Sequence, residues 1–316
     1  MSDSKDSNNL PPPVYSSAAD STRSTSPTLF RPTDLHQQPL AIDFTQYRIG
    51  GAALSDDHVA VLVHNERFSH NAHALLQLMH EQAQLPPKLL VRVRGSHSVY
   101  GDIKSDFDLT LNLLPLLVPE SDCWSYLKID GSRVTVQGEP VPPAAGSAPS
   151  DLEKLVLQYC EDPATIKSFS LKRRVVNFNQ DGLEGLIRNT VARTRYQGTL
   201  HISFPLAFAE VIVQQGEAKR SLKDIFYWSL EPPAKKDPTK RYDCVEVVWP
   251  FANIPVNEAG RRCAVQSEQD WWARWKDAVR SAVLAKRHGH VTLEDRIDVA
   301  MGVATPEPAK DWGITK

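Results

Sequence analysis

No window of this chain reaches the roughly 18 apolar residues that a spanning helix needs. The nearest approach, Leu109 to Val118, is interrupted by Asn112 and Pro115. An ordinary transmembrane helix is therefore not expected. The opening residues MSDSKDSNNLPPPVYSSAADSTRSTSPTLF also lack the apolar stretch of a secretory signal. Cysteine is scarce: Cys123, Cys160, Cys244 and Cys263 stand at wide spacings without a CxxC. That pattern argues against a disulfide framework and fits small buried thiols in a reducing, cytoplasmic setting. An excess of one charge is missing too, since 36 Lys plus Arg face 38 Asp plus Glu. No global field draws the chain to nucleic acid, and no specific nucleic-acid partner is expected. No GxSxG elbow, Walker loop, GxGxxG or HExxH occurs, so hydrolase, NTPase, dinucleotide and zinc-protease readings have no signal.

What is present is a chain of 316 residues, 41% hydrophobic, enough to bury a real core. Residues 1–40 are crowded with Ser, Thr, Pro, Asp and Asn and read as a disordered arm, too poor in apolar surface to offset the entropy of ordering. Residues 41–136 read as strand, helix, strand, strand: His58 to His64, then Asn71 to Gln84, then Leu89 to Arg94 and Asp106 to Leu113 as a hairpin. A Pro- and Ala-rich connection spans 137–150. Residues 151–216 add a short helix from Leu152 to Cys160 and repeat the order, with Phe169 to Val176, helix Leu183 to Arg195, Thr199 to Phe204 and Glu210 to Gln214. A basic and aromatic connection with a strand follows over 217–250, and 251–316 holds the last helices. The first of these, Glu268 to Arg287, carries Trp271, Trp275, Ala278, Val279, Ala282 and Val283 on one stripe and is expected to end at Gly289. Thr292 caps the next, with Asp295 in the capping-box position. The expected fold is α+β: two strand-helix-strand-strand units forming a mixed or antiparallel sheet, with a helical C-terminal region.

Four stretches together resemble a large fungal family of hypothetical proteins. They are Leu85-Pro86-Pro87-Lys88 with Arg94-Gly95-Ser96-His97, then Asp106-Phe107-Asp108-Leu109, then Thr239-Lys240-Arg241-Tyr242 with Trp249-Pro250-Phe251, then the Trp-rich helix. The resemblance covers most of residues 45–302 and implies no defined activity. It does imply membrane association, because members often carry an aromatic, strongly apolar segment ahead of the TKRY-like stretch. Here that position reads Ile225-Phe226-Tyr227-Trp228-Ser229-Leu230, followed by Pro- and Lys-rich residues.

Three constellations could carry function. Pro12-Pro13-Val14-Tyr15 is a PPxY sequence, a polyproline II ligand for WW domains, with a WW-containing ubiquitin ligase as the expected kind of partner. Lys219, Arg220 and Lys223 beside Phe226, Tyr227 and Trp228 suit peripheral contact with a membrane surface. Gly95-Ser96 followed by Asp106 and Asp108 is similar to the glycine-serine and paired-carboxylate signature of nucleotidyltransferases, in which two carboxylates on one strand face hold a divalent metal such as Mg²⁺. Against that enzyme reading, a hairpin symmetric about Tyr100 sets Arg94 opposite Asp106 and Arg92 opposite Asp108, so each carboxylate is neutralised without metal. Six histidines fall between His58 and His97 at spacings that form no ligand set, and they are expected to face solvent. The favoured expectation is a non-enzymatic protein that binds a protein partner or a membrane surface, without cofactor or metal.

Overall fold

A computed structural model describes residues 44–119, 124–136, 139–140, 151–216, 239–303 and 312. The expected arm, its PPxY sequence, and the basic and aromatic residues from Lys219 to Trp228 lie outside the described residues.

The architecture is α+β, built on two mixed sheets. The first strands are β1 (Ala52–Leu54) and β2 (Ala60–Val63), followed by helices α1 (Glu66–His70) and α2 (Ala72–Ala83). Asn71 closes α1 and caps α2, its side chain accepting from the Ala74 amide. The histidines of α2, His73 and His80, are exposed as expected, together with Gln77 and Gln84, and Pro86 and Pro87 prevent the helix from continuing. A long hairpin follows, β3 (Lys88–Val99) and β4 (Asp102–Asn112), then β5 (Tyr126–Ile129), β6 (Val134–Val136) and β7 (Glu139–Pro140). Within the expected 137–150 connection, β7 pairs with β6. Asp151 caps α3 (Leu152–Glu161), and β8 (Ile166–Val176), α4 (Gln180–Ala192), β9 (Thr199–Ser203), β10 (Leu206–Ala207) and β11 (Glu210–Gln215) complete the second unit. The chain then adds β12 (Thr239–Pro250), α5 (Glu268–Leu284), β13 (His288–His290) and α6 (Leu293–Ala300).

The first sheet has the order β1-β2-β11-β8-β12-β6-β7, with β5 also on β12; the second has the order β10-β3-β4-β13, with β9 also on β3. The repeated strand-helix-strand-strand order explains how the two are linked. In each unit the strand before the helix, β2 or β8, enters the first sheet, and the strand after it, β3 or β9, enters the second. There β3 and β9 pair antiparallel. The fourth strands differ: β4 stays beside β3, whereas β11 returns to the first sheet between β2 and β8.

Helices α2 and α3 cover the first sheet through Leu75, Leu78, Met79, Leu155, Val156 and Tyr159. Helices α4 and α5 cover the second through Leu183, Ile187, Val191, Trp271, Val279 and Val283. The expected Trp-rich stripe is buried at Trp271, Ala278, Val279, Ala282 and Val283, with Trp275 half-buried, but α5 stops at Leu284 rather than running to Arg287. Lys286, not Gly289, takes the left-handed conformation (φ 52°) that ends it. The Arg287 amide returns to the Ala282 carbonyl and the Lys286 amide to that of Val283, a Schellman closure. The expected capping box of α6 is present between Thr292 and Asp295.

Candidate functional site

The hairpin of β3 and β4 turns at Tyr100 and Gly101, whose φ values of 53° and 93° fit a two-residue turn with both residues left-handed. The turn is thus centred between these residues, and Ser96 pairs with Ser105. The next pair is Gly95 with Phe107, so Asp106 is the extra residue of a β-bulge. Centring and bulge each shift the register by one residue. Arg94 therefore lies opposite Asp108 and Arg92 opposite Thr110, which corrects the expected pairing of Arg94 with Asp106 and Arg92 with Asp108 across the ladder.

The bulge also breaks the rule that residues two apart share a strand face. Asp106 and Phe107 are both buried. The Asp106 carboxylate, an acceptor only when ionised, faces His97 Nδ1 at 2.8 Å from Oδ1 and 2.9 Å from Oδ2. Tyr196, on the turn after α4, sets its hydroxyl 2.7 Å from Asp106 Oδ2 and 3.0 Å from the Ser96 carbonyl. Burial, and then the hydrogen bond and charge of Asp106, hold the Tyr196 hydroxyl far above the usual phenol range. Phe107 lies 5.0 Å edge-on from the Tyr196 ring. Gly95 makes room for this arrangement, since a Cβ there would stand 2.3 Å from Phe107 Cε1. The glycine of the Gly-Ser pair thus admits an aromatic ring, and Ser96 offers its backbone carbonyl.

Asp108 belongs to a different setting. It accepts from Arg92 Nε at 2.8 Å and Nη2 at 2.5 Å, and Arg94 Nε lies 3.3 Å from Oδ2. The Arg92 hydrogen bonds hold the Asp108 carboxyl below its ordinary value, against the opposing effect of partial burial. Arg92 thus reaches Asp108 diagonally and supplies the neutralisation expected of a direct pair. The cross-strand row through Asp108 runs His201, Arg94, Asp108, His288, and the neighbouring row runs Ser203, Arg92, Thr110, His290. Residues in register share a face, so these eight side chains form a polar patch on the side away from α4 and α5. Arg94, His201, His288 and His290 are exposed on it.

This donor set does not fit the paired-carboxylate metal site. Asp106 is committed to His97 and Tyr196 within the aromatic cluster, Asp108 to two arginines on the open face, and among the described residues no group of three or more His, Cys, Asp or Glu could hold a metal ion. His58, His64, His70, His73 and His80 are exposed as expected, whereas His97 is not. Cys160, Cys244 and Cys263 are free thiols, and burial pushes Cys244 up to about 12. No described helix is long and apolar enough to cross a membrane. Tyr196, which meets Asp106 and Phe107, and Trp312, which meets Phe107 and Tyr196, carry no motif; an isolated aromatic in the polar run Lys310-Asp311-Trp312-Gly313 was the only available signal. No family model, curated protein or solved structure matches the chain.

Proposed function

We propose that the chain is a non-enzymatic binding protein whose partner is another protein. The observation that carries this reading is the bulge at Asp106: it parts the two carboxylates of the Asp106-Phe107-Asp108 stretch and gives each its own protein partners. What remains open is the polar face of the second sheet, where Arg92 and Arg94 surround one carboxylate and favour an acidic partner surface. In this reading the PPxY sequence recruits a WW-domain protein such as a ubiquitin ligase. The protein then works in the cytoplasm, with the segment around Phe226-Tyr227-Trp228 allowing peripheral, salt-sensitive contact with membranes.

Two measurements test it. Thermal melting with millimolar Mg²⁺ or Mn²⁺ should show no metal-dependent rise; a rise that disappears in Asp108→Asn would restore the nucleotidyltransferase reading. An isolated WW domain should bind the full chain, and Tyr15→Ala should abolish that binding by removing the ring that fills the groove. Equal binding by the variant would remove the PPxY sequence from the account.

A further inference from the structure

The open face of the second sheet is uneven in charge. Its two central rows hold Arg92, Arg94 and the imidazoles of His201, His288 and His290 against one carboxylate, Asp108. That carboxylate divides the arginines. Arg92 commits Nε and Nη2 to it, whereas Arg94 gives it Nε alone, at 3.3 Å. No hydrogen bond among the described residues takes up the terminal nitrogens of Arg94, which leaves a charged, forked donor facing outward.

The next row towards the hairpin turn carries hydroxyls. Ser96 pairs with Thr199 on one side and Ser105 on the other. Gly95 faces the Phe107 ring in the core, so Ser96 shares the outer face with Arg94, two residues back on the same strand. Thr199, Ser105 and His201 are exposed. Neighbouring strands stand about 4.8 Å apart and successive residues on one face about 7 Å apart. A group seated over Arg94 is therefore in reach of the guanidinium, the His201 imidazole beside it, and the hydroxyls of Ser96 and Thr199 one row on.

These donors restrict what can bind. No apolar side chain and no Phe, Tyr or Trp stands in the three rows, so neither an apolar helix nor the bases of a single-stranded nucleic acid find a platform there. Donors converging from two strands and two rows suit a tetrahedral anion with three open oxygens better than a planar carboxylate. Charge sharpens the choice. A partner carboxylate only matches Asp108, whereas a phosphomonoester carries between about −1.5 and −2 at pH 7 and outcompetes it for Arg94. Resting on the reading of this face as a surface for an acidic partner, we propose that it binds a segment of a partner protein carrying phosphoserine or phosphothreonine. Arg94 donates to the phosphate, and Asp108 is the internal counter-ion that holds Arg94 until the phosphate takes it.

The test uses the full chain and beads bearing peptide libraries of the form X4-phosphoserine-X4, with X4-Ser-X4 and X4-Glu-X4 as matched beads. The fraction of protein retained at about 0.15 M ionic strength is read for wild type, Arg94→Gln, Asp108→Asn and Lys154→Gln, the last removing an exposed cation on α3. We expect phosphoserine beads to retain wild type at least about fivefold better than serine beads and about threefold better than glutamate beads. Arg94→Gln should lower retention on phosphoserine about fivefold, Asp108→Asn should raise it about twofold, and Lys154→Gln should change it by less than about a fifth. The rise in Asp108→Asn is a gain that a misfolded chain does not give. Equal retention on phosphoserine and glutamate beads, both above serine, would overturn the phosphate inference and leave the acidic-partner reading standing. Retention no better than on serine beads would overturn both. Equal losses from Arg94→Gln and Lys154→Gln would assign the binding to net charge, and a fall in Asp108→Asn would remove its role as competitor; either result overturns the proposal.

Discussion

Strand β8 of the first sheet and the bulge of the second handle buried charge in opposite ways. On the covered face of the first, β8 places two cations at either end of an apolar run: Lys167, Phe169, Leu171 and Arg173 are all buried. Lys167 Nζ donates to the carbonyls of Tyr159 and Asp162 at 2.7 Å each, closing the end of α3. Arg173 donates to the Gln82 carbonyl at 2.8 Å and the Phe208 carbonyl at 2.6 Å, closing the end of α2. Helix C-termini supply unpaired carbonyls and a negative dipole end, so a buried cation there finds acceptors already in place. The second sheet buries an anion, Asp106, at a point where no helix N-terminus supplies donors. Its partners are side chains drawn from 9 and 90 residues away in sequence. The lesson is that a cation can be satisfied by local helix ends, while this carboxylate depends on the tertiary fold being right.

The comparison breaks most sharply at Arg173. Burial pushes its guanidinium down to about 10, and its N–H groups meet the Gln82 and Phe208 carbonyls. Arg173→Met keeps much of the volume but takes the guanidinium donors away from the Phe208 carbonyl and from both Gln82 oxygens, which should cost roughly 3 kcal/mol in urea unfolding. A loss below about 1 kcal/mol would mean that water or a shifted side chain replaces the guanidinium, and that the helix-end argument fails.

At Asp106 the expected loss is smaller and depends on chemistry more than volume. Asp106→Ala removes the acceptor for both Tyr196 and His97 and should destabilise by roughly 2 kcal/mol. Asp106→Asn retains a carbonyl oxygen for one of them and should lose about half as much. Equal losses for the two variants would show that packing, not hydrogen bonding, is what Asp106 supplies.

These differences also explain what could be read from the sequence. Helices with an apolar stripe and a capping residue, such as α2, α3 and α6, were legible because their signals lie within one turn of the chain. Phe107, Leu109, Leu111 and Leu113 are buried, as the alternation along Asp106 to Leu113 implies. The division of strands between two sheets was not legible, because β2 and β8 carry the same local pattern whichever neighbour they take. The bulge at Asp106 was hidden for a related reason: alternation continues on both sides of it, and only the pairing reveals the added residue. His97 and Tyr196 became a site only once that residue turned inward. The cations of β8 did leave a trace, since Lys167 and Arg173 fall on the same alternation as Phe169 and Leu171.

The smallest expected effect is at Asp108, and it sharpens the contrast with Asp106 because its partners are half in water. The side chains of Arg92 and Arg94 are 42% and 51% exposed, so solvent screens the pair, and Asp108→Asn should cost only about 0.5–1 kcal/mol. Geometry ranks the partners. Arg92 makes two hydrogen bonds to the carboxylate and Arg94 one longer contact, so Arg92→Asp combined with Asp108→Arg should recover more of the loss from Asp108→Arg than Arg94→Asp does. The pH dependence has a fixed sign. The folded-state pKa of Asp108 is depressed, so its contribution is present above the unfolded value of about 3.9 and is lost as pH falls through the folded value. The stability gap between wild type and Asp108→Asn should therefore stay level from about pH 7 to pH 5 and shrink below about pH 4, measured by urea unfolding at each pH. A gap that widens on acidification would mean that Asp108 is better accommodated protonated, and would reverse the assignment of the arginines as its partners.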